Sequence, residues 1–399
     1  MFKKSKPGLR NFLTSIYGFS FFNCLVFFYP VYALFFVDNG MTDSEISLLF
    51  IIWTVAQMAA QVPIGIASSR IPLKHIVIFG QIMKMGGFFI WYAWPTFLGF
   101  AIGFMMWGVM CGIYNAVFES MVYDELKGLK QKKIYAKICG RKSAVETVGY
   151  LLSTTGSLML FWGYAPVVWL SLAMLGVSVL FMMNMKSAVK ITRSAGAKFL
   201  KTIKMSMRIL GSSAYVTGLL FIVSAITAVS FMDDYLGLIG TEMGLPKEFV
   251  GATLVVTGIS RSLGNIAGYK FENARNFWLG LGIAAMGCAL FGAAAVFSIP
   301  ALGFFGLFYF LIGLLGVMAF SKFQHAISSN CRTVVLCIND FLQQFMSIFV
   351  YSIVGFGVAF GSYKYSLWML GAACVAVGLL AMVLNPKKPA PECRIDCGR

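Results

Sequence analysis

Charged side chains stand at six places inside or at the edges of long apolar runs: Lys84, Glu119, Glu146, Arg261, Asp340 and the adjacent Asp233 and Asp234, which count as one site. A charge at the centre of a bilayer costs about 2.5 to 3.5 kcal/mol on insertion scales, so such residues face a cavity or a partner and mark the path of an ion or solute. Carboxylates near a guanidinium can hold a proton in one arrangement and release it in another, because losing a cationic partner in a dry setting favours the neutral acid. These residue types therefore point to proton binding coupled to the making and breaking of ion pairs. A static salt bridge, or a long side chain snorkelling to the headgroups, is the plainer alternative. Enzyme chemistry has little to work with: the only histidines are His75 and His325, both in loops, and there is no nucleotide-binding loop or cluster of metal ligands. Neither a cofactor nor a metal is expected.

The elements that must carry these charges follow from composition. The 399 residues are 59% hydrophobic and only 12% charged, with a mean hydropathy of +0.81. A soluble domain is about one quarter charged, so the chain reads as an integral membrane protein. A bilayer-spanning helix needs about 20 apolar residues, and its backbone must be satisfied within the segment. Twelve stretches qualify, at 11–37, 45–67, 76–94, 97–121, 138–160, 164–185, 210–232, 249–268, 277–297, 300–321, 333–360 and 365–385. The expected fold is thus all-α, with twelve transmembrane helices in two six-helix halves. Residues 1–185 form the first half, 186–209 a basic cytoplasmic linker, 210–385 the second half and 386–399 a cytoplasmic tail. The first stretch follows Lys3, Lys4, Lys6 and Arg10, as a signal peptide would, but its apolar run is too long and lacks a small-residue cleavage site. It is read as a retained span.

Charge placement orients the bundle, since cytoplasmic loops collect lysine and arginine. With the N-terminus inside, only Lys247 and Lys364 fall outside, and only Lys84 and Arg261 lie within spans; all other basic residues, of 32, are cytoplasmic. Both termini are then cytoplasmic, in a membrane of the bacterial inner type. The net charge of +17 is topological and calls for no nucleic acid. The expected partners are the lipid bilayer, protons and a small-molecule substrate, and the protein is expected to be a monomer. Most of the nine cysteines read as small buried hydrophobes, while Cys393 and Cys397 could bind a metal or sense redox state but lack further ligands nearby.

A weak internal repeat relates the halves. GIASSRIPLKH (65–75) and GYKFENARN (268–276) each join a glycine, a polar turn and a basic residue ahead of another span. GRKSAVETVGY (140–150) and CRTVVLCINDF (331–341) each begin with a cytoplasmic arginine and place one carboxylate, Glu146 or Asp340, a turn or two into the membrane. Related halves are a hallmark of transporters.

These motifs resemble the major facilitator superfamily, in particular its bacterial efflux-like branch. In GIASSRIPLK, Gly65, Arg70 and Lys74 match the signature of the loop between spans two and three, while Ser69 stands where that family has its aspartate. QVPIG (61–65) is similar to the E-x-P-T-G variant, and NAVFESMVYDEL (115–126) to the Tyr-Asp-x-Leu end of span four. The Gly-Pro-rich antiporter signature of span five is absent, its place being taken by GYLLSTTGSL (149–158). In the family the loop aspartate helps to hold the halves together, partly by capping span eleven; Ser69 carries no charge for that role.

The resemblance implies that spans five and eight meet between the halves, as do two and eleven. At ~1.5 Å per residue, Arg261, Glu146 and Asp340 all lie roughly 10 Å inside the cytoplasmic boundary. Arg261 is therefore expected to pair with Glu146 when the cytoplasmic side is closed, sharing Asp340 within its own half. Lys84 could meet Glu119, meet an anionic substrate group or snorkel, and snorkelling is favoured. Glu119 and Asp124 are expected to pair with Arg70, Arg141 or Lys142 at the cytoplasmic face. Asp233 and Asp234 close span seven on the outer side, as solvated acids or as a proton entrance. The family cavity would draw on Tyr17, Asn23, Tyr29 and Tyr32 from span one, Trp107, Tyr114 and Asn115 from span four, and Tyr215, Ser224 and Thr227 from span seven. Few polar groups on an aromatic wall suit a flat or amphiphilic compound better than a sugar. The expected function is alternating-access, proton-coupled export of a small amphiphilic organic compound. Proton-coupled import of a nutrient or organic anion, with Lys84 and Arg261 as substrate ligands, stands as the alternative, and a non-coupled flippase or membrane sensor as the alternative of another class.

Overall fold

The computed structural model describes residues 7–68, 70–186, 214–271, 274, 276–326 and 332–384. Ser69, Cys393, Cys397 and nearly all of the expected linker lie outside the described residues. Among the described residues the regular structure is all helical, and helix occurs in each of the twelve stretches expected to span the membrane. Nine of these described helical segments are long and apolar enough to cross a bilayer. The chain divides into two compact units: Met1–Met41, Ile52–Phe199 and Lys247–Gly251 in the first, Thr42–Ile51, Leu200–Pro246 and Ala252–Arg399 in the second.

The first unit opens with a span that is not one helix. α1 (Pro7–Cys24) stops, residues 25–31 turn, and α2 (Tyr32–Asp38) resumes. Pro30 has no amide hydrogen and disfavours helical geometry at Tyr29, which is enough to interrupt the run of apolar residues. The freed backbone is not left bare. The Phe28 amide donates to Ser171 Oγ at 3.0 Å, and the Tyr29 and Tyr32 amides donate to the carbonyls of Val26 and Phe28. Irregular backbone inside a membrane protein survives only where protein covers it or a cavity needs it.

Next come α3 (Asp43–Ala67), with its first turns in the second unit, then α4 (Leu73–Ala93) and α5 (Phe97–Ile113). Thr96 caps α5 by accepting from the Gly99 amide at 3.3 Å. A π-helical turn, Tyr114–Phe118, leads into α6 (Glu119–Gly128), so span four runs seven residues beyond the end expected at 121. Span five is α7 (Tyr135–Ser153) followed by nine residues of 3-10 helix, Thr154–Trp162. Span one packs against it closely: a Cβ at Gly149 would lie 2.6 Å from the Phe21 carbonyl oxygen, and one at Gly156 would lie 1.9 Å from that of Phe27. Only glycine fits at such backbone approaches. α8 (Tyr164–Met183) completes the unit.

The second unit contains α9 (Ala214–Val229), a 3-10 turn at Ser230–Tyr235 and α10 (Leu236–Glu242), which together form a single 28-residue segment from Tyr215 to Glu242. Asp233 and Asp234 therefore sit within span seven, not at its outer end. The apolar residues LGLIG after them continue the helix, and the carboxylates find partners inside the unit. α11 (Gly251–Gly268, its first residue counted with the first unit), α12 (Asn276–Val296), α13 (Leu302–Ala326), α14 (Arg332–Val358) and α15 (Tyr363–Leu384) follow. Glu242 accepts from the Ser362 hydroxyl and the Tyr363 amide, which satisfies the N-terminus of α15.

Candidate functional site

Lys84 lies near the middle of α4, eleven residues from its start and nine from its end, and is only 1% exposed. It does not snorkel. Its ammonium donates to the Asn23 backbone oxygen at 3.1 Å, to Asn23 Oδ1 at 2.9 Å and to the Tyr29 hydroxyl at 2.7 Å. The break in span one makes this possible, because α1 ends at Cys24 and leaves the Asn23 carbonyl without a helical donor. A cation at a helix C-terminus also meets the negative end of the helix dipole. Among the described residues no carboxylate lies within 4.0 Å of Lys84.

An aromatic cluster begins at this point. The ammonium sits 5.2 Å from the centre of the Tyr29 ring, within cation-π range. Tyr29 stacks on Trp107 at 5.8 Å, and Trp107 meets Trp53 at 5.0 Å and Phe88 at 5.3 Å. Tyr32 stacks on Trp91 at 6.0 Å, and Trp91 spends its indole hydrogen on the Phe100 carbonyl. Of the residues that the sequence placed in a cavity wall, Asn23 and Tyr29 hold Lys84, and Trp107 and Tyr32 continue the ring cluster from Tyr29.

A second cluster forms where span four makes its π turn. π turns widen a helix and recur at functional sites. Here the turn begins with Tyr114, whose hydroxyl donates to Glu146 Oε1. Lys142, buried on α7, donates to Glu119 Oε1, lies 3.7 Å from Glu146 Oε1 and covers the rings of Tyr114 and Phe118 at 5.3 and 5.1 Å. The other oxygen of Glu119 accepts from the Tyr135 hydroxyl at 2.9 Å and from the Cys139 thiol at 3.5 Å. One ammonium thus serves two carboxylates. Of the three cations considered for Glu119, the structure selects Lys142; Arg70 and Arg141 are exposed. Glu119 opens α6, nine residues from its end.

In the second unit Arg261 lies 3.8 Å from Asp233, both partly exposed, and Asp234 accepts from the Tyr351 hydroxyl at 2.7 Å. The pairing of Arg261 with Glu146 expected from the sequence joins residues of different units; the partners described above lie within the unit of each. Asp340 is exposed and makes no ion pair within 4.0 Å among the described residues. Its neighbour Asn339 is buried and accepts from Ser224 Oγ at 3.2 Å. Tyr215 is buried, and Thr227 hydrogen-bonds its own helix at Val223.

The loop motif acts through its lysine. Lys74 donates to the carbonyls of Met183 and Met185 at 2.8 and 2.7 Å, capping the end of α8. Gly65 lies in the last turns of α3 and Asp124 is partly buried on α6. Tyr17 is partly buried on α1, and Asn115 is exposed in the π turn. Residues beyond the sequence reading are Lys142 as the shared cation, Phe88, Trp91 and Trp53 in the ring cluster next to Lys84's partner Tyr29, and Tyr351 at Asp234. For Lys142 the signal was present, since Lys142 and Glu146 are four residues apart on a helix, the spacing of facing charges.

No curated protein matches the chain in sequence. The family model described as Major Facilitator Superfamily matches residues 12–351. Among solved structures the chain is similar to a D-xylose-proton symporter, at 13% identity and a TM-score of 0.69, over 93% of this chain and 96% of that one. It is similar to the nucleoside transporter NupG at 11% identity and a TM-score of 0.71, over 95% and 99% of the two chains. A bacterial homolog of the human lysosomal transporter Spinster, solved inward-facing and occupied, gives 14% identity and a TM-score of 0.66 over 97% and 100%.

Proposed function

The chain belongs to the Major Facilitator Superfamily, and on that premise we propose that it is a secondary active transporter, working by alternating access, that exports a small amphiphilic organic compound in exchange for protons across a bacterial inner membrane. The observation that carries the coupling is the sharing of Lys142 by Glu119 and Glu146 beside Tyr114. One ammonium cannot fully compensate two carboxylates. A proton taken up by either acid leaves Lys142 to the other, so proton binding re-partitions the ion pair between spans four and five. The π turn carries Tyr114 at the same point, and a change in the hydrogen bond to Glu146 is felt directly by the backbone of span four.

Proton-coupled uptake of an organic anion is a second reading, favoured by the ammonium of Lys84 with its neutral acceptors only. Reconstitution into liposomes under an imposed pH gradient tests both. Compounds are offered while internal pH is recorded, and compound-dependent proton movement in either direction is the expected result. Its direction separates exchange from uptake. Compound movement with no proton flux overturns the coupling and leaves a flippase-like carrier; no compound movement leaves a sensor.

A further inference from the structure

We propose that Lys84 and the broken part of span one form a binding site for a flat, ring-bearing organic anion, whose carboxylate supplies the counter-charge that the protein withholds. The proposal rests on the transporter reading and narrows its substrate to a charge class.

Buried charges in membrane proteins are paired, because an unpaired ion in a low-dielectric interior is costly. Lys84 is among the fully buried large side chains of the described residues, yet all three of its acceptors are neutral. The end of α1 offers about half an elementary charge at best. What is missing is one negative charge, at a point beside the Tyr29 ring, itself part of a cluster with Tyr32, Phe88, Trp91 and Trp107. Such walls accept a planar ring by stacking or edge contact. Alone they would also suit a cation, but the ammonium of Lys84 repels one.

Two further features fit an occupant. Tyr29 belongs to the non-helical residues 25–31, so it can leave Lys84 without breaking a helical hydrogen-bond ladder. Gln81 stands one turn before Lys84 on the same helix, fully buried, and donates to Ser178 Oγ at 2.7 Å, while its Oε1 has no hydrogen-bond partner. A buried amide oxygen without a donor is an open position for an O–H or N–H. The ligand class that satisfies both is an aromatic carboxylate bearing a hydrogen-bond donor.

The test uses matched probes of one ring and three charges, benzoate, benzyl alcohol and benzylamine, together with 4-hydroxybenzoate, on the full-length purified protein. Quenching of tryptophan fluorescence reports binding, since Trp107 and Trp91 line the site. Expected is saturable binding of the carboxylates at least tenfold tighter than that of the alcohol or amine, with 4-hydroxybenzoate tightest. Lys84→Gln should abolish the preference for the carboxylate and Lys84→Arg should keep it, each variant being checked as monodisperse and cooperatively melting. If neither variant folds, Tyr29→Phe, which removes one neutral acceptor, should tighten benzoate binding relative to benzyl alcohol. Equal binding of all three charges, no binding of any carboxylate, or an unchanged preference in Lys84→Gln overturns the proposal. Carboxylate binding without proton flux in liposomes would leave the site standing and refute the coupling; proton flux driven by an uncharged compound and retained in Lys84→Gln would do the reverse.

Discussion

The ammonium of Lys84 lies 2.7 Å from the hydroxyl of Tyr29, so a residue in the middle of α4 closes the gap that Pro30 opens in span one. The lysine is both a helix cap and the only cation at this point of the first unit among the described residues. Its removal therefore has a structural and a functional consequence, which different measurements separate.

Lys84→Met keeps the volume and removes the donors, taking the lysine from Asn23 Oδ1 and leaving the Asn23 carbonyl only the long 3.5 Å bond from the Tyr29 hydroxyl. Unsatisfied buried polar groups cost about 1–3 kcal/mol each, so the variant should unfold at clearly lower denaturant or temperature. An unchanged melting temperature in detergent would mean that the break in span one does not depend on the lysine.

Glu146→Gln mimics the protonated acid and frees Lys142 for Glu119. Uphill transport driven by a pH gradient should fall at least tenfold, while exchange of labelled for unlabelled compound at equal pH continues. Tyr114→Phe should fall between this variant and the wild type. Exchange lost together with uphill transport would assign Glu146 to folding or substrate contact, not to protons.

Gly156→Ala places a methyl group 1.9 Å from the Phe27 carbonyl oxygen, and Gly149→Ala places one 2.6 Å from that of Phe21. Overpacking of this kind costs typically about 1–3 kcal/mol, and the shorter approach should be the worse. The yield of monodisperse protein should rank wild type, then Gly149→Ala, then Gly156→Ala. A reversed order would show that the 3-10 stretch yields more readily than α7.

Arg261 and Asp233 are both partly exposed at 3.8 Å, and pairs of that kind contribute about 0–1 kcal/mol. Arg261→Gln and Asp233→Asn should leave stability within that range. Their transport defects should fail to add in the double variant if the two act as a pair. Additive defects would assign them separate roles.

The broad architecture was legible in the letters because apolar runs of membrane length and one-sided lysines and arginines leave few other solutions. The interruptions were less so. Pro30 carried a readable warning of the break after α1, but a five-residue π turn has no comparable sequence signal, and the run of residues around Tyr114 looks like ordinary helix. Depth arguments put Lys84 within snorkelling reach because they measure along a helix and cannot see a carbonyl 61 positions away in sequence that lies beside it. Lys142 was harder to single out from Arg141 than from any other cation. Neighbours on a helix point about 100° apart, and only the packing shows which is buried. The second unit shows the same limit: Asp233 and Asp234 looked like the end of a span because acids often are, and the apolar LGLIG beyond them continued it.

Thr154–Trp162 winds as a 3-10 helix, which rises about 2.0 Å per residue against 1.5 Å for α. Over its nine residues the segment is about 4.5 Å longer than the same sequence would be as α-helix. Span five thus contains a built-in change of length: rewinding would draw Trp162 toward Ser153 by nearly one turn with no hinge and no sliding helix.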